Sequence, residues 1–318
     1  MSLILRSLTA LAAPAGPRSR LSVFYFHRVL EKPDPLLPSE PDARMFDRML
    51  DWIGSQFRVL DPLDACERLY EGTLPSRPAV ITFDDGYLDN CTVALPILRR
   101  KEMKAAFFIA TSYLQGGAMF NDRVIESVRR WNGGSLALPM SDEQIPVRTI
   151  DERRAAIERL LLDCKYRAPS ERECYVSELE RRTGCNAASG GMMFPEHVAA
   201  LASAGMRLGG HTRSHPILAR IDDQEARREI NGGRDDLAEI LGQRPEIFAY
   251  PNGKFGADFE ARHMKMVAEA GYRFAFTTDP APATAHSDRM AIPRFTPWDR
   301  TGLKFRARAY LNLSRSAA

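Results

Sequence analysis

The stretch ITFDDGY, residues 81–87, decides the fold, because an apolar, β-rich run ends abruptly there in two carboxylates and a glycine. Successive side chains of a strand point to opposite faces, so Asp84 and Asp85 can reach one site only if the backbone turns between them. Gly86 permits that turn. Since parallel α/β proteins build their sites at strand ends, the stretch predicts a site at the end of a buried strand. A simple Asp-Gly turn, with one Asp capping the next helix, is the alternative.

Short apolar runs recur along the chain and alternate with segments of helical period, which is typical of an α/β protein. Seven strands with helices between most of them favour a parallel barrel over an open sheet. The predicted strands are residues 21–26, 79–83, 105–110, 206–209, 247–250, 274–277 and 290–295. The predicted helices are residues 46–56, 91–101, 195–204, 223–241 and 259–270.

The sequence predicts a single barrel domain over residues 21–318, preceded by an N-terminal segment, residues 1–20. Residues 119–191 interrupt the alternation and are expected to form a helical insertion, because they keep regularly spaced Ile, Leu and Val between Gly and Pro breaks. The helices predicted within it are residues 122–131, 151–163 and 170–182.

Composition sets the class of protein. The 318 residues are 44% hydrophobic, and 44 basic against 41 acidic residues leave a net charge of only +3, which does not suggest a nucleic-acid partner. Five cysteines without a CxxC pair argue against a disulfide framework and against a thiolate zinc site, so we expect free thiols and a cytoplasmic protein. The apolar run at residues 8–13 is too short to span a bilayer, and a degenerate signal peptide is the alternative interpretation. Association with a membrane surface and the oligomeric state stay open.

A second motif, GGHTRSHP at residues 209–216, also follows a predicted strand. Two histidines four positions apart, His211 and His215, would lie on one face of a helical turn, from which both imidazoles can reach one ion. Combined with a carboxylate, they form a site of the two-histidine, one-carboxylate type. This ligand set suits zinc, while cobalt, nickel, iron and manganese also fit it. A structural pair of surface histidines is the alternative.

The order of TFDDG and HTxxHP resembles the polysaccharide deacetylase family, also called the NodB-homology or carbohydrate esterase 4 group. The resemblance covers residues 21–295 and leaves residues 119–191 outside the common core. It implies a distorted (β/α) barrel that uses a divalent metal to remove an N-acetyl group from a sugar of a polysaccharide or glycolipid. It also implies that Asp84 is the general base and that the metal ligands are Asp85, His211 and His215.

A third family motif contains an arginine that orients the base, but the matching stretch here, FAYPNG at residues 248–253, has Ala249 at that position. We predict that Arg294, in the last predicted strand, replaces the missing arginine. By the same resemblance, the backbone N–H of Asn252 is the donor that stabilises the oxyanion.

The general acid is predicted from FYFHRV, residues 24–29, which resembles the Tyr-His-Arg opening of exopolysaccharide deacetylases. In these relatives an early strand supplies the acid, so His27 is the candidate for protonating the leaving amine. His286, in a polar loop near the end of the chain, is the other candidate for the acid. A histidine that is merely hydrogen-bonded inside the barrel mouth is the non-catalytic interpretation of His27.

Substrate contacts are expected beside these groups, and core packing is an equal explanation for most of the aromatic residues. The predicted substrate-binding residues are Tyr87, Tyr250, Pro251 and Trp298.

Two other functions fit the same motifs. One is hydrolysis of a different C–N amide bond, in a small amide, an N-formyl group or a nucleotide-linked sugar, and the other is a catalytically silent carbohydrate-binding barrel.

Overall fold

The computed structural model describes residues 2–141, 143–185, 191–296 and 299–315, and all structural statements below concern these ranges. A curled sheet of seven parallel strands dominates them, with the order β1-β3-β4-β7-β8-β9 and with β2 paired to the start of β3. The strands are β1 (Ser22–Phe26), β2 (Arg58–Val59), β3 (Pro78–Phe83), β4 (Ala106–Ile109), β5 (Ser135–Ala137), β6 (Gln144–Pro146), β7 (Arg207–Gly210), β8 (Ile247–Ala249) and β9 (Phe274–Phe276). The predicted parallel α/β architecture is confirmed.

The two edges of this sheet are joined by residues 292–295. Ile292 pairs with Phe276 of β9, and Phe295 pairs with Phe24 of β1, both in parallel. The sequence predicted a regular strand at residues 290–295, but the structure has only these two isolated bridges. Pro293 lies between them, and its lack of an N–H prevents a continuous ladder.

Helices surround the sheet. They are α1 (Ser2–Ala12), α2 (Ala43–Gln56), α3 (Pro62–Glu71), α4 (Leu95–Arg100), α5 (Phe120–Arg130), α6 (Ile150–Lys165), α7 (Pro169–Thr183), α8 (Pro195–Ser203), α9 (Asp223–Leu241), α10 (Ala261–Glu269) and α11 (Gly302–Leu313). Side chains set several boundaries: Asp61 accepts hydrogen bonds from the first turn of α3, and Gly72 ends that helix with a left-handed backbone. The predicted helix at 91–101 starts instead with a π turn, residues 90–94, and α4 follows it with Pro96 as its second residue.

The sheet is buried on both faces, which explains why its strands read as unbroken apolar runs. In β4, Phe107 packs outward among the helices and stacks on Phe83 at 4.8 Å between ring centroids. Its neighbour Phe108 points to the opposite face and packs against Phe276 inside the curled sheet. The core therefore has two layers, one inside the sheet and one between the sheet and the helices.

The insertion expected at residues 119–191 has a hydrophobic cluster of its own. Helices α5, α6 and α7 bury side chains such as Val128, Leu160 and Leu179 against one another. The sequence missed the antiparallel hairpin β5–β6 between them, because its three-residue strands carry polar residues and show no clear alternation. The insertion is therefore helical with one small hairpin.

Residues 1–20 include α1, which packs with α11 against α2. The side-chain amide of Gln56 joins these elements by donating hydrogen bonds to Thr9 Oγ1 and to the carbonyl of Arg306. In the ranges given above, no helix is both long and apolar enough to cross a bilayer. The five cysteine thiols are free, as the sequence suggested.

Candidate active site

The first part of the site is the turn after β3. The backbone turns at Asp85 itself, where φ is 75°, and at Gly86, where φ is 95°. Because these two angles are left-handed, the carboxyl groups of Asp84 and Asp85 both remain at the end of the strand. A Cβ on Gly86 would also lie 3.3 Å from Ile109 Cγ2, so glycine is required for space as well as for conformation. The turn predicted from the sequence is present.

The second part is the loop after β7 that carries His211 and His215. The sequence placed the two histidines on a helical turn, but residues 211–217 are not helical. Thr212 and His215 have φ values of 63° and 54°, and this irregular backbone brings the two rings together at 4.8 Å between centroids. The prediction of a helical turn is wrong, because backbone N–H groups of this loop donate to a side chain of a neighbouring helix and not to carbonyls of their own segment.

Glu229 of α9 provides these acceptors. Its carboxylate accepts hydrogen bonds from the backbone N–H groups of Arg213 and Ser214, each at 2.8 Å, and from the Ser214 hydroxyl at 2.7 Å. Gly233, one turn further along α9, allows close approach, since a Cβ there would lie 2.8 Å from the Thr212 carbonyl oxygen. The sequence predicted this helix at residues 223–241 but not its contact with the histidine loop, although a Gly-Gly pair inside a helical segment indicates close packing.

Asp85, His211 and His215 converge on one point. Asp85 Oδ1 lies 3.4 Å from Nε2 of each histidine, and one donor atom from each residue lies within 4.8 Å of the others. The Nδ1–H of His211 donates to the carbonyl of Ala249 at 2.7 Å, which turns its Nε2 lone pair towards Asp85. Burial acts to raise the pKa of Asp85, but the imidazoles of His211 and His215 beside it outweigh burial and hold that pKa well below its usual value.

These three residues fit a divalent cation. Asp85 Oδ1 is buried and has no hydrogen-bond partner among the described residues, although it faces the unprotonated Nε2 of His211. Two lone pairs that face each other without a proton or a cation between them repel, so the arrangement is favourable only with a positive charge at its centre. Burial lowers the pKa of His215 to about 3, which keeps its ring neutral and able to act as a ligand.

Asp84 lies beside this triad and is held by Arg294. The guanidinium donates to both carboxylate oxygens, at 2.7 and 2.8 Å, and is itself fixed by the Thr277 carbonyl at 2.9 Å. Both side chains are buried. Burial alone would raise the pKa of Asp84, but the charge of Arg294 outweighs it and lowers that pKa. The contact expected between Arg294 and Asp84 is thus present, and its catalytic effect stays a prediction.

The third turn, after β8, carries the stretch in which Ala249 replaces the family arginine. Asn252 and Gly253 have φ values of 59° and 80°, and the Asn252 carbonyl accepts a hydrogen bond from Thr278 Oγ1 at 2.6 Å. The backbone N–H of Asn252 has no acceptor in the part of the chain that the structure describes. Asn252 also lines the active-site cavity, and the role of its N–H as an oxyanion donor stays a prediction. Pro251 is buried behind the turn and does not line the cavity.

A cavity of about 220 Å³ opens over these groups. Its lining residues are His27, Asp84, Asp85, Met119, Phe120, Asn121, Leu161, Lys165, His211, His215, Asn252 and Thr278. Of the two candidates for the general acid, the structure brings His27 to the cavity and leaves His286 exposed elsewhere. Burial acts to lower the pKa of His27, but the carboxylates of Asp85, Asp84 and Glu40 outweigh it and raise that pKa. Five of these residues come from the insertion, and the sequence did not identify them individually because they belong to no motif.

The two tyrosines predicted to bind substrate are core residues. Tyr250 is fully buried: its ring stacks on Phe259 at 3.7 Å between centroids, and its hydroxyl donates to the Met290 carbonyl. Tyr87 is buried too, with its hydroxyl donating to Asp122 and its ring under the guanidinium of Arg28. Neither ring has a free face for a sugar, so the stacking prediction is wrong for both and the packing alternative holds. The fourth predicted contact, Trp298, lies outside the described residues.

The fold and the site together define a parallel α/β barrel with a two-histidine, one-carboxylate centre at its C-terminal strand ends. The sequence profile of the polysaccharide deacetylase family matches residues 71–275, well over half of the chain. The chain therefore belongs to the polysaccharide deacetylase family. The matched region contains the base and the three candidate ligands but neither His27 nor Arg294.

Two solved structures support the fold over most of the chain, and a curated relative matches a short part of it. The Streptococcus pyogenes deacetylase PplD is 17% identical, with a TM-score of 0.58 over 87% of this chain and 92% of that one. IcaB from Ammonifex degensii is 19% identical, with a TM-score of 0.57 over 94% and 98%. The peptidoglycan-N-acetylmuramic acid deacetylase PdaC of Bacillus subtilis is 33% identical over 73 residues, which are 23% of this chain and only 15% of that protein.

Proposed function

We propose that this protein is a metal-dependent hydrolase that removes an N-acetyl group from a sugar of a polysaccharide or a glycolipid. The observation that carries the proposal is the pairing of a metal-type triad with a second, separately held carboxylate. Asp85 faces two histidines, whereas Asp84 is bound on both oxygens by the buried Arg294. A ligand and a base of this kind are what hydrolysis of an unreactive amide requires.

A bound divalent cation would supply Lewis acidity, which polarises the acetyl carbonyl and lowers the pKa of a coordinated water. Asp85, His211 and His215 would hold it. Zinc is the ion we propose, because two imidazoles and one carboxylate suit it and leave positions for water and substrate.

The protein's own groups then carry the proton transfers. Asp84, kept ionised by Arg294, takes a proton from the attacking water, whose oxygen forms a bond to the acetyl carbon. The backbone N–H of Asn252 donates to the oxygen that becomes negatively charged, an interaction typically worth about 3 to 4 kcal/mol. His27, the one candidate acid in the cavity, donates a proton to the nitrogen as the C–N bond breaks, and the products are acetate and a free amino sugar.

The silent-barrel alternative rested on the missing motif arginine. Arg294 places a guanidinium on Asp84 from a different strand position, so Ala249 no longer argues for lost activity. The name of PdaC gives the substrate of that protein and not of this chain. For this chain we propose only a substrate class, the N-acetylated glycans.

The test is a metal-dependent acetate-release screen with N-acetylated oligosaccharides and glycolipids, in which N-formyl and small-amide substrates test the other amide alternative. We expect metal content near one ion per chain, turnover lost on chelation, and turnover restored by zinc. Asp84→Asn should lower the rate by about a hundred- to ten-thousandfold while the metal content stays unchanged. Turnover by the chelated protein, or full activity of Asp84→Asn, would refute the proposed reaction.

A further inference from the structure

The two terminal helices, α1 and α11, pack side by side and expose apolar side chains. On α1, Ile4 and Leu11 are 64% and 79% exposed, and Leu8 lies between them at helical spacing, so the three form one stripe. On α11, Leu311 is 61% exposed and Leu303 is exposed as well. We call these residues, with the cations around them, the terminal-helix face.

The same segments carry an unusual charge. Residues 1–20 and 300–318 contain eight Lys and Arg residues and no Asp or Glu, a formal charge of +8. The whole chain has a net charge of +3, so the remaining residues sum to −5. Three of these cations are exposed and have no carboxylate within ion-pair distance among the described residues, namely Arg6, Arg18 and Lys304. The two terminal segments of the chain therefore carry its excess positive charge, and three of their cations are exposed without an ion-pair partner.

Exposed leucines interspersed with unpaired cations are what a helix needs in order to lie on a negatively charged bilayer surface, with its apolar stripe in the headgroup boundary. A protein partner of the same face would have to be both acidic and apolar. We propose that the terminal-helix face docks this protein on an anionic lipid surface.

The position of this face relative to the site supports the proposal. A second cavity, of about 390 Å³, lies beside α11 and is lined by Arg308 and Leu311 of that helix. Thr278 lines both this cavity and the active-site cavity. The docking face and the mouth of the site are thus neighbours, so docking would bring the site close to the membrane surface.

The test is flotation of the full chain with vesicles of phosphatidylcholine, with and without phosphatidylglycerol. We expect binding to the anionic vesicles and loss of binding as salt is raised. The triple variant Arg6→Gln, Arg18→Gln, Lys304→Gln should bind the anionic vesicles roughly a hundredfold more weakly, since each cation near such a surface contributes about fivefold. Leu11→Ser with Leu311→Ser should weaken binding as well.

Matched controls separate this face from general charge. Lys32→Gln, Arg99→Gln and Arg148→Gln remove the same number of exposed cations elsewhere, and Leu162→Ser removes a leucine that is 68% exposed on α6. These controls should bind like the natural chain, and so should Asp84→Asn, because docking does not depend on the reaction.

Two results would overturn the proposal. One is equal binding of the two triple variants. The other is absence of vesicle binding together with a dimer, seen by light scattering, that Leu11→Ser dissociates, which would make this face a contact between two copies of the chain.

Discussion

At the residue scale, the site separates two carboxylates that are adjacent in sequence. Asp84 is buried against a guanidinium, whereas Asp85 faces two imidazoles. Because of these different partners, we propose Asp84 as the base and Asp85 as a metal ligand. The sequence around Asp84 and Asp85 does not distinguish the two roles, because they depend on Arg294, which lies more than two hundred residues away in the chain.

The first prediction concerns Arg294. Arg294→Ala would leave the Asp84 carboxylate buried without a partner, and we expect a loss of about 3 to 5 kcal/mol in the free energy of unfolding. The pKa of Asp84, which Arg294 now lowers, should rise, so the acidic limb of kcat/KM should move to higher pH. Arg294→Lys keeps a positive charge and should shift that limb less.

A double-mutant cycle with Asp84→Asn tests the coupling of this pair. We expect strongly non-additive losses of rate, because Arg294 acts through Asp84. Fully additive losses would show that the arginine stabilises the barrel without tuning the base.

The second prediction concerns acid stability. In the metal-free protein the pKa of His215 is about 3, lowered by burial from 6.5. The unfolded chain therefore binds a proton between these values while the folded chain does not, so stability should fall as pH falls below 6.5. The loss should reach about 2 kcal/mol at pH 5, from about 1.4 kcal/mol per pH unit.

The measurement is urea unfolding of the chelated protein at several pH values, and His215→Gln should have a flatter dependence over this range. An identical slope for the variant would contradict the lowered pKa of this ring.

At the element scale, three turns that follow β3, β7 and β8 build the site. Each has a non-glycine residue at positive φ, namely Asp85, Thr212, His215 and Asn252. Such backbone strain is held in place by surrounding contacts and commonly marks functional positions.

The third prediction concerns Gly210, the last residue of β7 before His211. A Cβ there would lie 2.1 Å from the Tyr272 hydroxyl oxygen, which is buried and has no partner among the described residues. Gly210→Ala should therefore cost about 1 to 3 kcal/mol in the free energy of unfolding and displace His211, lowering metal affinity. Unfolding curves and metal titrations measure both effects.

Tyr272→Phe offers a partial rescue, since it removes the clashing oxygen but leaves the ring carbon Cζ, which would lie 2.9 Å from that Cβ. The double variant should therefore recover part of the loss in stability and metal affinity. No recovery at all would show that the hydroxyl oxygen is not the cause of the loss.

Much of the fold and of the candidate site could be predicted from the sequence, because local sequence patterns determine these parts. A few residues of sequence are enough to recognise the apolar runs of β3 and β4 and the Asp84-Asp85-Gly86 turn. What escaped prediction depends on distant partners: the irregular loop of His211 and His215 is held by Glu229, which belongs to another element, α9. The failed stacking role of Tyr250 has the same origin, because burial of a ring is a property of the packed core.

At the scale of the whole molecule, the insertion forms a wall of the active-site cavity while keeping a core of its own. Asn121 and Leu161 reach the cavity from α5 and α6, and Leu160 is fully buried among the helices of the insertion. The wall is thus supported separately from the metal triad.

The fourth prediction follows from this separation. Leu160→Ala should destabilise the insertion by about 2 to 5 kcal/mol and raise KM, while the metal content stays at that of the natural chain. Leu69→Ala, which makes a comparable cavity inside the barrel core, is the control and should leave KM unchanged in the folded protein. A loss of metal from Leu160→Ala would show that the two regions are coupled.

The segment at residues 292–295 joins the sheet edges and carries Arg294. During synthesis, the ribosome releases the base and the three ligands long before it adds this arginine. A nascent or prematurely terminated chain therefore holds Asp84 without the guanidinium that lowers its pKa, and we expect this carboxylate to gain its partner only when the last segment of the barrel is in place.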